Sequence, residues 1–333
     1  MTNRQGVNQT PLFTLPELES ARQLVHSFMP PTPQYAWPLL SQRAGCEVWV
    51  KHENHTPTGA FKVRGGINYL HALAQRDKMP AGLITATRGN HGQSIPYAAS
   101  RYNLPVTVLV PEGNSMEKNL AMQAWGAELI VHGSDFDDAR LEAERLANER
   151  QLEFVPSFHP ALVTGVASYA LEFFLAVKDL DTVYVPIGMG SGICALIGTR
   201  DLLGLNTEIV GVVSTEAPAY ARSVENNDIT ITETAHTFAD GVACRVPIPQ
   251  AVAIIRQGAS RIVEVTDDQI AQAMRDIYSD THNVSEGAGA SALAALKADP
   301  QRCTGGRVGI ILTGGNIDAD KFAAVLQGGT PSP

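Results

Sequence analysis

The sequence has no block of lysines and arginines, no apolar run of membrane-spanning length and no closely spaced cysteine pair. Nucleic-acid binding needs a concentrated basic surface; a chain of net charge −9 without one is not expected to have that partner. A helix that crosses a bilayer needs about 20 consecutive apolar residues, and the polar opening MTNRQGVNQTPLFTLPELES also lacks the apolar centre of a secretory signal. No membrane partner is therefore expected. Cys46, Cys194, Cys244 and Cys303 lie far apart, which reads as buried reduced thiols and a cytoplasmic location rather than a disulfide frame. A zinc helix is missing too: HENH (52–55) sets its two histidines three apart at a strand end, so no metal site is expected. There is no fixed-period repeat, and the short tail GGTPSP is the one low-complexity segment.

What is present is ordinary globular material: 333 residues, 44% hydrophobic and 18% charged, a length that suits two domains. Strand patterns occur at 47–52, 82–87, 105–111, 127–133, 182–188, 208–214, 261–266 and 307–314. Helical patterns fall between them at 91–102, 115–125, 136–151, 163–178, 217–226, 267–279, 286–297 and 319–326. Thr266 with Gln269 predicts a capping box, and Asp135 predicts a second N-cap. Regular alternation of near-continuous apolar strands with helices predicts an α/β protein with parallel sheets covered on both faces. Residues 82–155 contain three strand-helix units and a fourth strand, enough for a small subdomain inserted in a larger one. In such folds ligands bind beyond the carboxyl ends of strands, so the loops there carry the chemistry.

Four such loops stand out. In TPTGAFKVRGG, Lys62 sits where loop turns into helix; an amine becomes nucleophilic when desolvated or set near another cation, and Phe61 and Arg64 are the candidates for those effects. TATRGNHGQS (85–94) runs from a strand into a helix start, whose N–H groups favour an anion. PIGMGSGICA (186–195) has Gly188, Gly190 and Gly192 for close backbone approach to a phosphate. The third glycine position of a G-x-G-x-x-G fingerprint holds Ile193, and no ribose-binding acid follows, so a dinucleotide site matches imperfectly; Ser214 and Thr215 leave an NADP reading open. ILTGGNID (311–318) ends a late strand with the Thr313 hydroxyl. Each loop alone also fits a routine turn.

Together and in this order, the four loops resemble those of the fold type II pyridoxal-phosphate enzymes, in particular the threonine/serine dehydratase and serine racemase group. The resemblance runs from about residue 10 to about 325. It implies two doubly wound domains of the tryptophan synthase β type with the cofactor in the cleft between them. Residues 1–80 with 156–333 would form the large, cofactor-binding domain, and 81–155 the small one. Lys62 would carry pyridoxal 5'-phosphate as a Schiff base, with Phe61 beside the ring and Asn90 on its 3-hydroxyl. Gly188, Met189, Gly190, Ser191 and Gly192 would hold the phosphate, Thr313 would meet the pyridine nitrogen, and Glu286 and Asp240-Gly241 would line the site. Thr87, Arg88, Gly89, Asn90 and His91 would grip the substrate carboxylate through backbone N–H groups.

The implied reaction is loss of a β-hydroxyl from an amino acid, with Lys62 as the base at Cα and the cofactor phosphate as acid for the leaving hydroxide. The products would be a 2-oxo acid and ammonia. Two positions depart from the group. Arg88 stands where racemases carry a serine base, and a guanidinium does not deprotonate, which argues against racemisation. Val213 stands where a magnesium-binding carboxylate would be, so that metal site is not expected. Arg88 also bears on substrate: it could stack on an aromatic side chain or pair with a distal carboxylate, favouring phenylserine or hydroxyaspartate, or it could face solvent or bond Glu286. The chain ends soon after TGGN, which reads as a catabolic enzyme without an allosteric domain. An amino-acid substrate and a homo-oligomer complete the expected partners.

Overall fold

The structure is a computed structural model that describes residues 11–299, 301 and 305–333. The chain opens with α1 (Leu15–His26), β1 (Gln34–Ala36), α2 (Pro38–Ala44), β2 (Glu47–His52) and α3 (Lys62–Ala74). It continues through β3 (Leu83–Ala86), α4 (Asn90–Ala99), β4 (Val106–Val110), α5 (Met116–Ala124), β5 (Ala127–Val131), α6 (Phe136–Arg150) and β6 (Glu153–Phe154). Then come α7 (Pro160–Ala176), β7 (Thr182–Pro186), α8 (Ser191–Leu202), β8 (Glu208–Ser214), α9 (Ala219–Asn226) and α10 (Pro249–Gly258). Last are β9 (Arg261–Val265), α11 (Asp267–Thr281), α12 (Gly287–Ala298), β10 (Arg307–Leu312) and α13 (Ala319–Leu326).

The strands form a six-stranded sheet in the order β1-β2-β10-β7-β8-β9 and a four-stranded sheet in the order β5-β4-β3-β6. All pairings among the described strands are parallel except β1 with β2. Both sheets are covered on both faces, as their apolar runs require. In β7, Val183 and Val185 join one core cluster while Tyr184 joins the cluster on the opposite face. In the smaller sheet, Leu83 packs with Val106 and Val108 on one side, and Ile84 with Ala86 and Leu109 on the other. Each buried Val, Leu or Ile among them stabilises the fold by roughly 1.5–3 kcal/mol.

The sequence patterns overrun several strands at the carboxyl end. The runs predicted to reach 188 and 314 stop at Pro186 and Leu312. Gly188 and Thr313 are thereby released from the ladders into the space above the sheet. Three helices and a strand go beyond the predicted set. α1 starts with a capping box between Thr14 and Glu17, α2 and α10 start on prolines at the first turn, and β1 is a three-residue edge. The capping box predicted at Thr266 and the N-cap predicted at Asp135 both form, each side chain accepting from the backbone N–H three residues on. Cys303 lies outside the described residues. Among the described residues no helix is long and apolar enough to cross a membrane.

Candidate active site

Lys62 is placed by stitches on both sides. The loop after β2 is fastened to the end of β10, where Ala60 bridges Gly314 and the Phe61 N–H donates to the Thr313 carbonyl at 3.0 Å. α3 therefore starts at Lys62, directly above the carboxyl end of the large sheet. Gly65 and Gly66 let α3 approach its neighbours closely: a Cβ on Gly65 would lie 2.9 Å from the Leu162 carbonyl of α7, and one on Gly66 2.3 Å from Ser94 Oγ of α4. Ser94 Oγ in turn donates to the Lys62 carbonyl at 2.7 Å.

The Lys62 amine faces a neutral neighbourhood. Nζ lies 3.0 Å from Ser191 Oγ and 5.1 Å from the centre of the Phe61 ring. Burial without a counter-ion pulls its pKa from the usual lysine value down to about 8. Arg64, expected to press on this amine as a neighbouring cation, turns into the core instead. Its guanidinium is fully buried and grips Glu53 (2.7 Å) and Glu172 (2.7 Å). Lys51 completes the cluster, reaching Glu172 at 2.7 Å, so two cations face two carboxylates. Burial opposes ionisation of Glu172, but Arg64 and Lys51 outweigh it and hold the carboxyl down at about 2. Arg64 thus anchors α3 rather than tuning Lys62.

Opposite the amine, β7 turns into α8 through Gly188, Met189, Gly190, Ser191 and Gly192. Gly190 has φ +94°, and a Cβ there would fall 2.7 Å from Ala251. A Cβ on Gly188 would fall 2.2 Å from the Gly241 carbonyl. The first N–H groups of α8 have no intrahelical acceptor and converge on this loop, a cradle for a phosphate-sized anion.

The loop from β3 to α4 forms another wall. The Thr87 N–H bonds the Leu109 carbonyl and the Gly89 N–H bonds Thr87 Oγ1, at 3.0 and 2.9 Å. This narrows the predicted anion grip from five backbone N–H groups to those of Arg88, Asn90 and His91. Asn90 Nδ2 donates to Glu286 Oε1 at 2.7 Å, and Asn316 Nδ2 donates to Asn90 Oδ1 at 2.8 Å. Burial, then the nearby Lys62, pushes the His91 imidazole down to about 3, so it stays neutral. Arg88 does not bond Glu286. It forms no ion pair or side-chain hydrogen bond with any described residue, although it is half-buried.

Lys118, on α5, is the residue the sequence reading missed. Its amine bonds Asp240 at 2.6 Å and Glu286 at 3.3 Å, tying the smaller sheet's layer to the larger one. The Asp240 and Glu286 charges raise its pKa despite burial. Gly89 makes room for its stem, since a Cβ there would meet Lys118 Cδ at 2.5 Å. One signal was available: Lys118 lies a helical turn before buried Met122, in phase with the apolar face of α5.

The HENH histidines do other work. Trp37 Nε1 donates to His52 Nε2 at 3.0 Å, and burial pushes that ring down to about 4. His55 bonds Asn283 at 2.7 Å.

These walls enclose a cleft open to solvent, with about 860 Å³ of empty space counting its solvent-filled mouth. It lies beyond the carboxyl ends of strands from both sheets, with Lys62, Asn90, the 188–192 loop, Glu286 and Thr313 on its lining. A desolvated amine facing a glycine cradle for an anion is an arrangement suited to a phosphorylated carbonyl compound. The comparisons agree: the profile of the pyridoxal-phosphate dependent enzymes matches residues 25–314. An L-threonine ammonia-lyase from Geobacter sulfurreducens is 32% identical over 87% of this chain and 72% of its own. The processed form of threonine deaminase isoform 2 from Solanum lycopersicum superposes with a TM-score of 0.84 at 26% identity, covering 98% of both chains. Maize serine racemase shares the fold, with a TM-score of 0.86 at 22% identity over 95% of this chain and 97% of its own. The chain belongs to the pyridoxal-phosphate dependent enzyme family, in its fold type II branch. The NADP reading of the 188–192 loop falls with that result. Ser214, which it would have used, lies 3.3 Å from the Asp267 carboxylate.

Proposed function

We propose that this enzyme is a dehydratase that converts L-3-hydroxy-2-amino acids, with serine and threonine as the parent compounds, into 2-oxo acids and ammonia. The observation that carries the reading is the Lys62 amine: it lies in the cleft with no acid partner, at a pKa of about 8, and can therefore act as a base near neutrality. The relatives named as threonine ammonia-lyases support the same reaction. In this reading Lys62 and the 188–192 cradle would hold the cofactor by its aldehyde and its phosphate, with Phe61 beside its ring and Asn90 toward its hydroxyl. The chemistry that bound pyridoxal phosphate supplies is an electron sink conjugated to the substrate's amine.

The chain's own residues then set the outcome. The N–H groups of Arg88, Asn90 and His91 hold the substrate carboxylate, which fixes the Cα–H bond toward Lys62. Lys62 takes that proton. Thr313 lines the cleft and would offer the pyridine nitrogen a neutral hydroxyl, which, unlike a carboxylate, would not hold a proton there. Arg88 lines the cleft from the β3–α4 loop, and its guanidinium cannot serve as a second base for racemisation. The domain assignment belongs to the same proposal: residues 1–80 with 156–333 make up the large unit and 81–155 the small one, with the ion pairs of Lys118 joining them.

The test is product analysis with the reloaded holoenzyme and L-serine or L-threonine. Stoichiometric ammonia and 2-oxo acid are expected, with D-serine forming at less than about one hundredth of that rate. D-serine as the main product would refute the dehydratase reading.

A further inference from the structure

A second cavity opens off the active-site cleft, and the two share Arg88, Phe136, Met189, Ala243 and Cys244 at a common neck. The cations around this space are almost all satisfied. Lys118 is held by Asp240 and Glu286, and Arg245 pairs with Asp135 at 3.0 Å and Asp137 at 3.4 Å. Lys62 belongs to the cofactor in the reading above. Arg88 alone among them is half-buried at the neck without an ion pair to any described residue. Its planar fork presents five N–H donors that the described residues leave unpaired and that line the open neck, free for an incoming acceptor.

A carboxylate satisfies such a fork with two parallel charge-assisted hydrogen bonds. An aromatic ring over the guanidinium face leaves the in-plane donors unmet and is the weaker partner. Length is limited as well. Beyond the neck the outer cavity carries Asp135, Asp137 and Glu233, with Arg245 opposing the first two. An anion carried further out would meet excess negative charge, so the favoured position is the neck itself.

We propose that Arg88 is the side-chain carboxylate subsite and that the preferred substrate is a four-carbon 3-hydroxy-2-aminodicarboxylic acid. This rests on the dehydratase reading and narrows its substrate class. The reaction balances without any oxidant. The Cα–H and Cβ–O bonds break, the electron pair left at Cα forms the Cα=Cβ bond, and hydroxide leaves with a proton as water. The released enamine becomes an imine, and one water adds to it and expels ammonia, giving a 2-oxo dicarboxylic acid.

The experiment compares kcat/KM for ammonia release from L-serine, 3-hydroxyaspartate and 3-phenylserine in the holoenzyme and in Arg88→Leu and Arg88→Lys. In the native enzyme 3-hydroxyaspartate should exceed L-serine by about tenfold or more. Arg88→Leu should lower the ratio of the two by about thirtyfold, mainly through KM, and Arg88→Lys should restore part of it. Succinate should inhibit native serine turnover more strongly than butyrate, a comparison that needs no variant. An unchanged ratio in Arg88→Leu, 3-phenylserine as the best substrate, or equal inhibition by succinate and butyrate would overturn the proposal while serine turnover left the dehydratase reading intact. A holoenzyme that releases ammonia from none of the three would overturn both.

Discussion

At the scale of single residues, neighbouring side chains of α3 solve opposite electrostatic problems. Lys62 loses solvent and gains no counter-ion, so its amine is easily deprotonated; Arg64, two residues on, is buried among carboxylates that keep it charged. The first effect has a direct kinetic consequence. Capture of an aldehyde needs the neutral amine, and a pKa lowered to about 8 means that the neutral fraction grows steeply below that pH and saturates above it. Reloading of the apoenzyme with pyridoxal phosphate, followed by stopped-flow absorbance, should accelerate about tenfold per pH unit up to about pH 8 and then level off. A rate still climbing toward pH 10 would mean that the amine has an ordinary lysine pKa and that its burial has no chemical effect.

At the scale of elements, the site depends on where α3, α4 and α8 begin. α3 is held from beneath by the Arg64 cluster, and removing one partner of a buried pair leaves an uncompensated charge that costs roughly 3–5 kcal/mol. Arg64→Met should therefore lower the thermal midpoint by about 5 °C at neutral pH, measured by calorimetry on the reloaded protein. The sign with pH follows from Glu172. Its folded-state pKa is depressed to about 2, so its contribution is present above the unfolded carboxyl range and lost as pH falls toward that value. The gap between native and Arg64→Met proteins should close on acidification; a gap that stays constant down to pH 3 would contradict this account. Most of these elements were legible in the sequence because parallel strands covered on both faces must be apolar throughout. The predicted caps at Thr266 and Asp135 formed for the local reason given. The strand ends at Pro186 and Leu312 were not legible, since a β-prone run continues past the last ladder bond and only the partner strand sets where pairing stops. α2 and β1 are too short to show a period, and their reason for existing is the edge of a sheet built from distant segments.

At the scale of the whole molecule, the cleft is assembled from residues 61 to 313, so its contacts are long-range and only their endpoints could be read in advance. The order of four loops sufficed to suggest the family. It could not show that Arg64 faces the core, because a side chain's direction from the first turn of α3 depends on α7 and β2. Nor could it find Lys118, whose partners lie 122 and 168 positions away. The account rests on one covalent attachment in a protein that also buries two other lysines, Lys51 and Lys118. Both are held by carboxylates, Glu172 for the first and Asp240 with Glu286 for the second. Borohydride reduction of the reloaded enzyme, digestion and mass spectrometry should place a single pyridoxyl phosphate adduct on the peptide containing Lys62. An adduct on Lys51 or Lys118 instead, or none at all in protein that has taken up the cofactor, would contradict it.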